Sequence, residues 1–377
     1  MSVISAIRVS VLIPVYNQTS LLPILLSSLR EPALEGSIEV ILVDDASSED
    51  IDRVLANIHV NFPIRVIRRK RNGGYSAAIN AGIIESSGEY LFLLNSDVIL
   101  IEDYINRLVL LLEKDRNTAV ATGVCIFPQN GRIQNAGIAF SETDHYLLYY
   151  WANPSTIPLH SPTELQAAAF AAVLIPRRIF SLIGLLDEEL VNGYDDIDFC
   201  FRARSRGLKI MLDPDALSYH WERKSRDPLG VRRRDNIARV WKRWGKTLKP
   251  DLASFVAKSA IDLKRRRKDI AVGPHDLVLL GQGAGISILR DELVSEASPF
   301  EIYSTFDLRR YSGVAKEFLL PLAVPSEISH SDRPLILAVD CIDQLTDNYM
   351  WIEARKHYGY TDLAVDLHGN TVAITDI

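Results

Sequence analysis

Asp195-Asp196-Ile197-Asp198 puts three carboxylates within four residues, and the apolar and basic run Phe199-Cys200-Phe201-Arg202-Ala203-Arg204 follows directly. At the start of a helix, such a cluster caps free backbone N–H groups and complements the helix dipole. It can equally hold one carboxylate as a general base. Four other clusters could do chemistry. They are Asp44-Asp45, the turn Arg71-Asn72-Gly73-Gly74, Asn95-Ser96-Asp97, and Tyr219-His220. Carboxylates and an imidazole can share a hard divalent cation. A glycine-rich turn lets backbone approach a phosphate or nucleotide closely.

The elements that must position these groups alternate strand and helix. Strand runs read at Val9–Ile13, Ile38–Val43, Ile64–Ile67 and Tyr90–Leu94, and helices at Leu21–Leu29, Ile51–Ile58 and about Ser76–Glu85. Near-continuous apolar strands separated by helices predict a parallel sheet covered on both faces. Ligands of such sheets bind outside the carboxyl ends of the strands. Pro14–Gln18, Asp44–Ser48, Arg71–Gly74 and Asn95–Asp97 each follow a strand end, so the spacing predicts one shared edge. Further on, Gly131–Gly137 reads as a turn-rich hairpin and Ala167–Ile175 as a buried strand. Arg177–Ile183 reads as a short helix, and Leu208–Leu212 as a strand after the helix that ends near Ser205.

The chain has 377 residues and a net charge of −6, with 47% hydrophobic and 24% charged residues. Those values fit a folded protein of about two domains and argue against a nucleic-acid partner. Cys125, Cys200 and Cys341 are odd in number and widely separated, so neither a disulfide framework nor a zinc site is expected. A cytoplasmic setting suits them. The N-terminus shows no basic start followed by an apolar stretch, so no signal peptide is expected. Ala167–Ile175, the longest uncharged apolar run, is too short to span a bilayer.

Residues 8–245 resemble an inverting glycosyltransferase of family 2, with the GT-A fold, and most of all its bacterial rhamnosyltransferase-like branch. The resemblance rests on six motifs in order: Val11–Asn17, Val43–Ser47, Asn72–Gly82, Leu94–Val98, Asp195–Arg204 and Pro214–His220. It implies a GT-A nucleotide-diphospho-sugar transferase domain of Rossmann-like α/β type. Pro14, Tyr16, Asn17 and Asp45 would line the nucleotide pocket, with Arg71, Asn72 and Gly74 near the phosphates and Asn80 one turn deeper. Asn95 and Ser96 would contact the donor. Asp97 and His220 would ligate Mg²⁺ or Mn²⁺. Asp196 would be the catalytic base beside Asp195, which stands where the family carries Glu. Asp198 would fix the backbone or pair with Arg202, one helical turn on. Plainer readings stand beside these: Asp44 and Asp45 as turn residues, Asp97 as a helix cap, and His220 as a packed side chain.

The implied donor is a dTDP- or UDP-sugar. The implied acceptor is a glycan or lipid-linked oligosaccharide in bacterial surface polysaccharide synthesis. Gln166–Ala172 lacks the glycine frequent in the family's acceptor region, and Tyr146–Trp151 could stack on sugars or pack in a core. Arg223–Lys246 holds ten Lys/Arg against two Asp/Glu, which suggests a face turned toward an anion. With the run Lys264–Lys268 it could give peripheral contact with anionic lipid at the inner face of the membrane.

Domains are expected at 1–250 (GT-A), 251–273 (a basic linker helix) and 274–377 (a small α/β Rossmann-like accessory domain). In the last, Leu277–Gly285 has a dinucleotide-fold flavour, but Ile286 stands where a third spaced glycine would be needed, and Asp307 lies near the distance for a ribose-binding acid. Two alternatives remain. One is a catalytically silent sugar-nucleotide-binding or scaffold protein acting through its C-terminal domain. The other is a nucleotidyltransferase, which would want a Gly-rich basic loop after the first strand, where Pro14-Val15-Tyr16-Asn17 stands.

Overall fold

The structure is a computed structural model. It describes residues 8–34, 36–140, 145–149, 154, 159–221, 233–249, 251 and 255, and the strands 276–280, 301–304, 335–339, 363–366 and 371–373. Outside the described residues lie most of the expected linker helix, the basic run 264–268, the 222–232 stretch, the Gly281–Gly285 turn, Asp307 and Cys341. Chain packing divides the protein into two compact units, residues 1–138 with 159–248 and residues 139–158 with 249–377.

The elements of the first part, in chain order, begin with β1 Val9–Val15, α1 Leu22–Ser28, β2 Ile38–Asp44, α2 Ile51–Leu55, β3 Ile64–Arg68, α3 Gly74–Glu85 and β4 Tyr90–Leu94. They continue with β5 Val98–Leu100, α4 Tyr104–Lys114, β6 Thr118–Ile126, β7 Ile133–Asn135, and the paired strands β8 Ile138–Phe140 and β9 His145–Leu147. Then come β10 Thr163–Leu165, β11 Ala172–Pro176, α5 Arg177–Ile183, α6 Asp195–Arg204, β12 Lys209–His220 and α7 Arg233–Trp244.

One sheet runs β10-β12-β6-β11-β4-β1-β2-β3, with β5 added to β12 and β7 to β6. β3, β2, β1 and β4 are parallel, so their carboxyl ends share one edge, as expected. Every residue of β4 and β6 is buried, which is what helices on both faces require. The other half is mixed, because β11 runs antiparallel to both β4 and β6. α4 is amphipathic, and its buried face, with Leu108, Val109 and Leu112, joins the main core cluster.

Two expectations change. The strand expected at Ala167–Ile175 begins at Ala172. Before it, Ala167 makes a single bridge to Ile138. The strand expected at Leu208–Leu212 instead runs on to His220 as one element. It accommodates Pro214 because its register against β6 shifts between Leu212 and Leu217; a bulge is one of the few places where a strand tolerates a residue with no N–H.

The second unit contains a five-stranded sheet of β13 Asp276–Leu280, β14 Glu301–Ser304, β15 Leu335–Val339, β16 Leu363–Asp366 and β17 Thr371–Ala373. Its order is β14-β13-β15-β16-β17, parallel except for the last pair. Strand order reverses after β14, as in open, mostly parallel sheets.

Candidate active site

The site gathers at the carboxyl edge of the parallel strands. β2 delivers Asp45, whose N–H donates to Val15 O at 2.8 Å. Its carboxylate accepts from Gly73 N–H at 3.1 Å and Gly74 N–H at 2.9 Å, and pairs with the Arg69 guanidinium. Asp45 therefore caps α3 across the sheet edge, supplying an acceptor to N–H groups a helix cannot satisfy internally. Burial pushes its carboxyl above the ordinary value, and the glycine N–H groups and Arg69 pull against that. Gly74 has φ +81°, the left-handed region that a side chain disfavours. Asn72 Oδ1 accepts from Gly74 N–H at 3.0 Å, closing the same turn.

The neighbouring loop is braced in the same way. Asn17, at φ +55°, accepts from Ser48 N–H at 2.8 Å and Glu49 N–H at 3.3 Å. Pro14 sits in register with Val43, and Tyr16 is half-buried beside them. Of two further expected nucleotide contacts, one is bonded within the fold and the other lies open to solvent. Asn80 is buried, and its amide is fully used by Leu186 backbone N–H and C=O and by Glu188 Oε1, at 2.9–3.0 Å. It holds the 186–188 loop. Arg71 is exposed, and the cation that meets Asp45 is Arg69.

α3 leads from this glycine turn to the acidic cluster. Tyr75 donates its hydroxyl to Phe170 O at 2.8 Å and its N–H to Asn192 Oδ1 at 3.3 Å. Burial, then Asp195, then Asp196 hold its phenol well above the ordinary value. Asn192, Gly193 and Tyr194 all have positive φ, at +52°, +147° and +70°. Such a run persists where its surroundings fix it. Here Asn236 of α7 donates to Val191 O at 3.0 Å and Gly193 O at 2.9 Å.

The three carboxylates then fall in the first turn of α6 and have three different environments. Asp198 is 1% exposed and saturated. It accepts from Arg202 Nε at 2.8 Å, the expected partner, from Trp244 Nε1 at 2.9 Å and from Arg243 Nη1 at 3.1 Å. Asp195 is 4% exposed, and its Oδ2 has no hydrogen-bond partner. Asp196 is half-buried, with Oδ1 accepting its neighbour Ile197 N–H at 2.8 Å. Both carboxyls are raised, chiefly by burial; for Asp195 the Asp196 charge adds to it. Burial thus outweighs mutual repulsion as the cause. The more buried Asp195, with one oxygen unpartnered, holds its proton more tightly, and Asp196 ionises first.

Asp97 and His220, 123 positions apart in sequence, meet through strand pairing. His220 is opposite Val98 in the antiparallel β5–β12 pair. Its Nε2 lies 3.2 Å from Asp97 Oδ1. The Nδ1 donates to Gln134 Oε1. Asn95 N–H donates to Ala171 O at 2.8 Å, and its buried Oδ1 has no partner. Among the described residues, no three His, Cys, Asp or Glu side chains converge on one point. The donor set fits a cation all the same. Hard divalent ions commonly take one or two protein ligands and complete their shell with substrate phosphates and water.

The 167–171 segment links these groups, since Phe170 O bonds Tyr75 and Ala171 O bonds Asn95. The anion-facing expectation for 223–246 is corrected in part. Arg239 pairs with Glu189 and Arg243 with Asp187 at 2.5 Å, so these cations clamp the 187–198 region. Tyr149 is 1% exposed, a core residue rather than a sugar platform. Sequence reasoning missed Arg69, Tyr75, Gln134, Asn192 and Asn236. Each works through a tertiary contact that no local spacing marks.

The family model for glycosyl transferase family 2 matches residues 10–164. Uncharacterized protein y4gI of Sinorhizobium fredii is 31% identical over 227 residues, covering 58% of this chain and 25% of that protein. O-antigen biosynthesis protein RfbC of Myxococcus xanthus is 25% identical over 227 residues, covering 58% of this chain and 18% of that protein. The match to this chain thus spans a quarter or less of these two relatives' length. A crystal structure of GalNAc-T7 with UDP, GalNAc and Mn²⁺ superposes with a TM-score of 0.50 at 21% identity, covering 70% of this chain and 54% of that one; that likeness concerns the fold alone. Within a mixed sheet of GT-A type, residues 10–164 of this chain thus match the model of glycosyl transferase family 2.

Proposed function

We propose that the protein is an inverting glycosyltransferase that moves a sugar from a nucleoside-diphosphate donor to an acceptor hydroxyl. The acceptor is a glycan or lipid-linked oligosaccharide of a surface polysaccharide. Asp196 takes the acceptor proton as the hydroxyl oxygen bonds to the anomeric carbon. The bond from that carbon to the diphosphate oxygen breaks on the opposite face, and the diphosphate leaves with the electron pair. Asp196 suits the task because it is accessible and its carboxyl is raised toward neutral pH, where a general base works best. Asp195 stays protonated beside it, which keeps a second negative charge out of a dry site.

Pro14, Tyr16, Asn17, Asp45, Asn72 and Gly74 form the nucleotide wall, with Arg71 at its rim. Asn95 and Ser96 face the donor. Asp97 and His220 hold a divalent cation, Mg²⁺ or Mn²⁺, which when bound neutralises charge developing on the leaving diphosphate. The motif resemblance puts dTDP-rhamnose first among donors, ahead of UDP-hexoses. No helix among the described residues is long and apolar enough to cross a membrane, so contact with a lipid-linked acceptor is proposed at the membrane surface.

The observation that carries this reading is the Asp195–Asp196 pair, with Asp195 buried and one of its oxygens unpartnered, beside Tyr75 of the helix that the Asp45-capped glycine turn opens. Release of nucleoside diphosphate from a panel of dTDP- and UDP-sugars tests it, comparing wild type with Asp196→Asn. The reading predicts release from at least one donor and its loss in the variant. No release from any donor, or equal release by the variant with acceptor present, would reject it in favour of a silent sugar-nucleotide-binding protein.

A further inference from the structure

Gln134 lies on β7, is 3% exposed, and meets His220 from the side opposite Asp97. β7 pairs with β6 through Cys125↔Asn135 and Ile126↔Ile133, and β6 pairs with β12 through Ile126↔Tyr219. Three strands therefore fix Gln134 against the ring. An amide oxygen only accepts hydrogen bonds, so the facing Nδ1 must donate. A neutral imidazole then carries its lone pair on Nε2, and that nitrogen looks at Asp97 Oδ1 from 3.2 Å. Nε2 and Oδ1 so placed make one edge of a cation site, to be completed by substrate phosphates and water. The arrangement has a cost elsewhere, since Gln134 Nε2 is buried with no hydrogen-bond partner. A leucine of similar size would fill the same space without stranding a polar group.

We propose that Gln134 is a positioning residue. It fixes the tautomer and orientation of His220 so that Nε2 is held ready, beside Asp97, for a divalent cation. The inference rests on the cation reading above, and it adds a residue that none of the six motifs contains. Partners of this kind orient metal-ligating histidines, and losing one typically costs 10–100-fold in metal affinity.

Two measurements on the full chain test it. Nitrogen-15 NMR of the imidazole rings, with His220 assigned by comparison with His220→Asn, reads the tautomer without metal. The proton is expected on Nδ1 in wild type and redistributed toward Nε2 in Gln134→Leu. Calorimetric titration with Mn²⁺, in the presence of UDP and separately of dTDP, reads affinity without turnover. Gln134→Leu should bind about 10–100-fold more weakly, and Gln134→Glu, which keeps an acceptor at Nδ1, should return close to wild type. A Gln134→Leu protein matching wild type in both readouts overturns the role of Gln134. A wild type that binds no Mn²⁺ with either nucleotide, while its tautomer still responds to Gln134→Leu, overturns the cation reading instead.

Discussion

Asp45 and Asp195 are both buried carboxylates facing the start of a helix, and the fold treats them in opposite ways. Asp45 is surrounded by donors, namely Gly73 N–H, Gly74 N–H and Arg69. Asp195 has an oxygen with no partner at all. A saturated carboxylate is fixed in position and shapes the loop around it. An unsaturated one is costly to ionise, so its protonation state becomes adjustable. The cluster at α6 contains both kinds, since Asp198 is as saturated as Asp45. One helical turn therefore carries an anchor and a reactive pair.

The largest effects should separate anchor from base. Asp198→Ala strands Arg202, Arg243 and the Trp244 N–H that tie α6 to α7. Breaking a buried pair typically costs about 3–5 kcal/mol. The lower end, about 3 kcal/mol, is expected because Arg243 is 40% exposed and can turn to water. Urea unfolding measures it, and a loss below 1 kcal/mol would mean that Asp198 is no anchor. Asp196→Asn should do the reverse, lowering transfer by about 10²–10⁴-fold while the urea midpoint stays at or above that of wild type.

Asp195→Asn sharpens the division between the paired carboxylates. The folded protein binds the Asp195 proton more tightly than the unfolded chain does. Its contribution to stability is therefore fully present below the ordinary carboxylate range, near pH 4, and declines as pH rises toward its raised value. The asparagine variant has nothing to ionise. Its stability relative to wild type should grow with pH across that window, as thermal melts at a series of pH values would read. Transfer by wild type should rise with pH through the ionisation of Asp196, above the usual carboxylate range. If Asp195 is already protonated there, Asp195→Asn leaves that limb in place. A limb displaced to lower pH would show that Asp195 carries charge and reverse the two assignments.

The parallel half of the sheet was legible because its signal is local. Apolar strands ended by polar clusters, read from sequence, correspond to β1 to β4 and a shared edge. Asp198–Arg202 was legible for the same reason, being one helical turn apart. The mixed half was not. β12 hides its length behind Pro214, whose tolerance depends on a register shift against β6. Asn80 has the spacing of a pocket residue, but the loop it holds is 106 positions away. Gln134 sits in what reads as a turn, and only the β6–β7–β12 pairing gives it His220 as a neighbour. Residues whose role is to hold another residue leave little trace in spacing.

The basic run Arg68-Arg69-Lys70-Arg71 poses that limit in its smallest form. Motif position favoured Arg71 for contact with the phosphates, and nothing in the run distinguished Arg69. Geometry does: Arg69 follows the last residue of β3, its N–H donates to Asp44 O at 2.9 Å, and its guanidinium reaches Asp45. Arg69→Ala should cost about 1–3 kcal/mol, the expense of leaving a buried acceptor short of a charged donor. It should also weaken nucleotide binding by loosening the Gly73–Gly74 turn. Arg71→Ala, at an exposed position, should change stability by no more than about 0.5 kcal/mol. If Arg71 reaches a bound diphosphate, the substitution raises the apparent KM for donor and makes it less sensitive to salt. Equal stability losses for the two alanine variants would erase the distinction between a donor that completes Asp45 and one that waits at the rim.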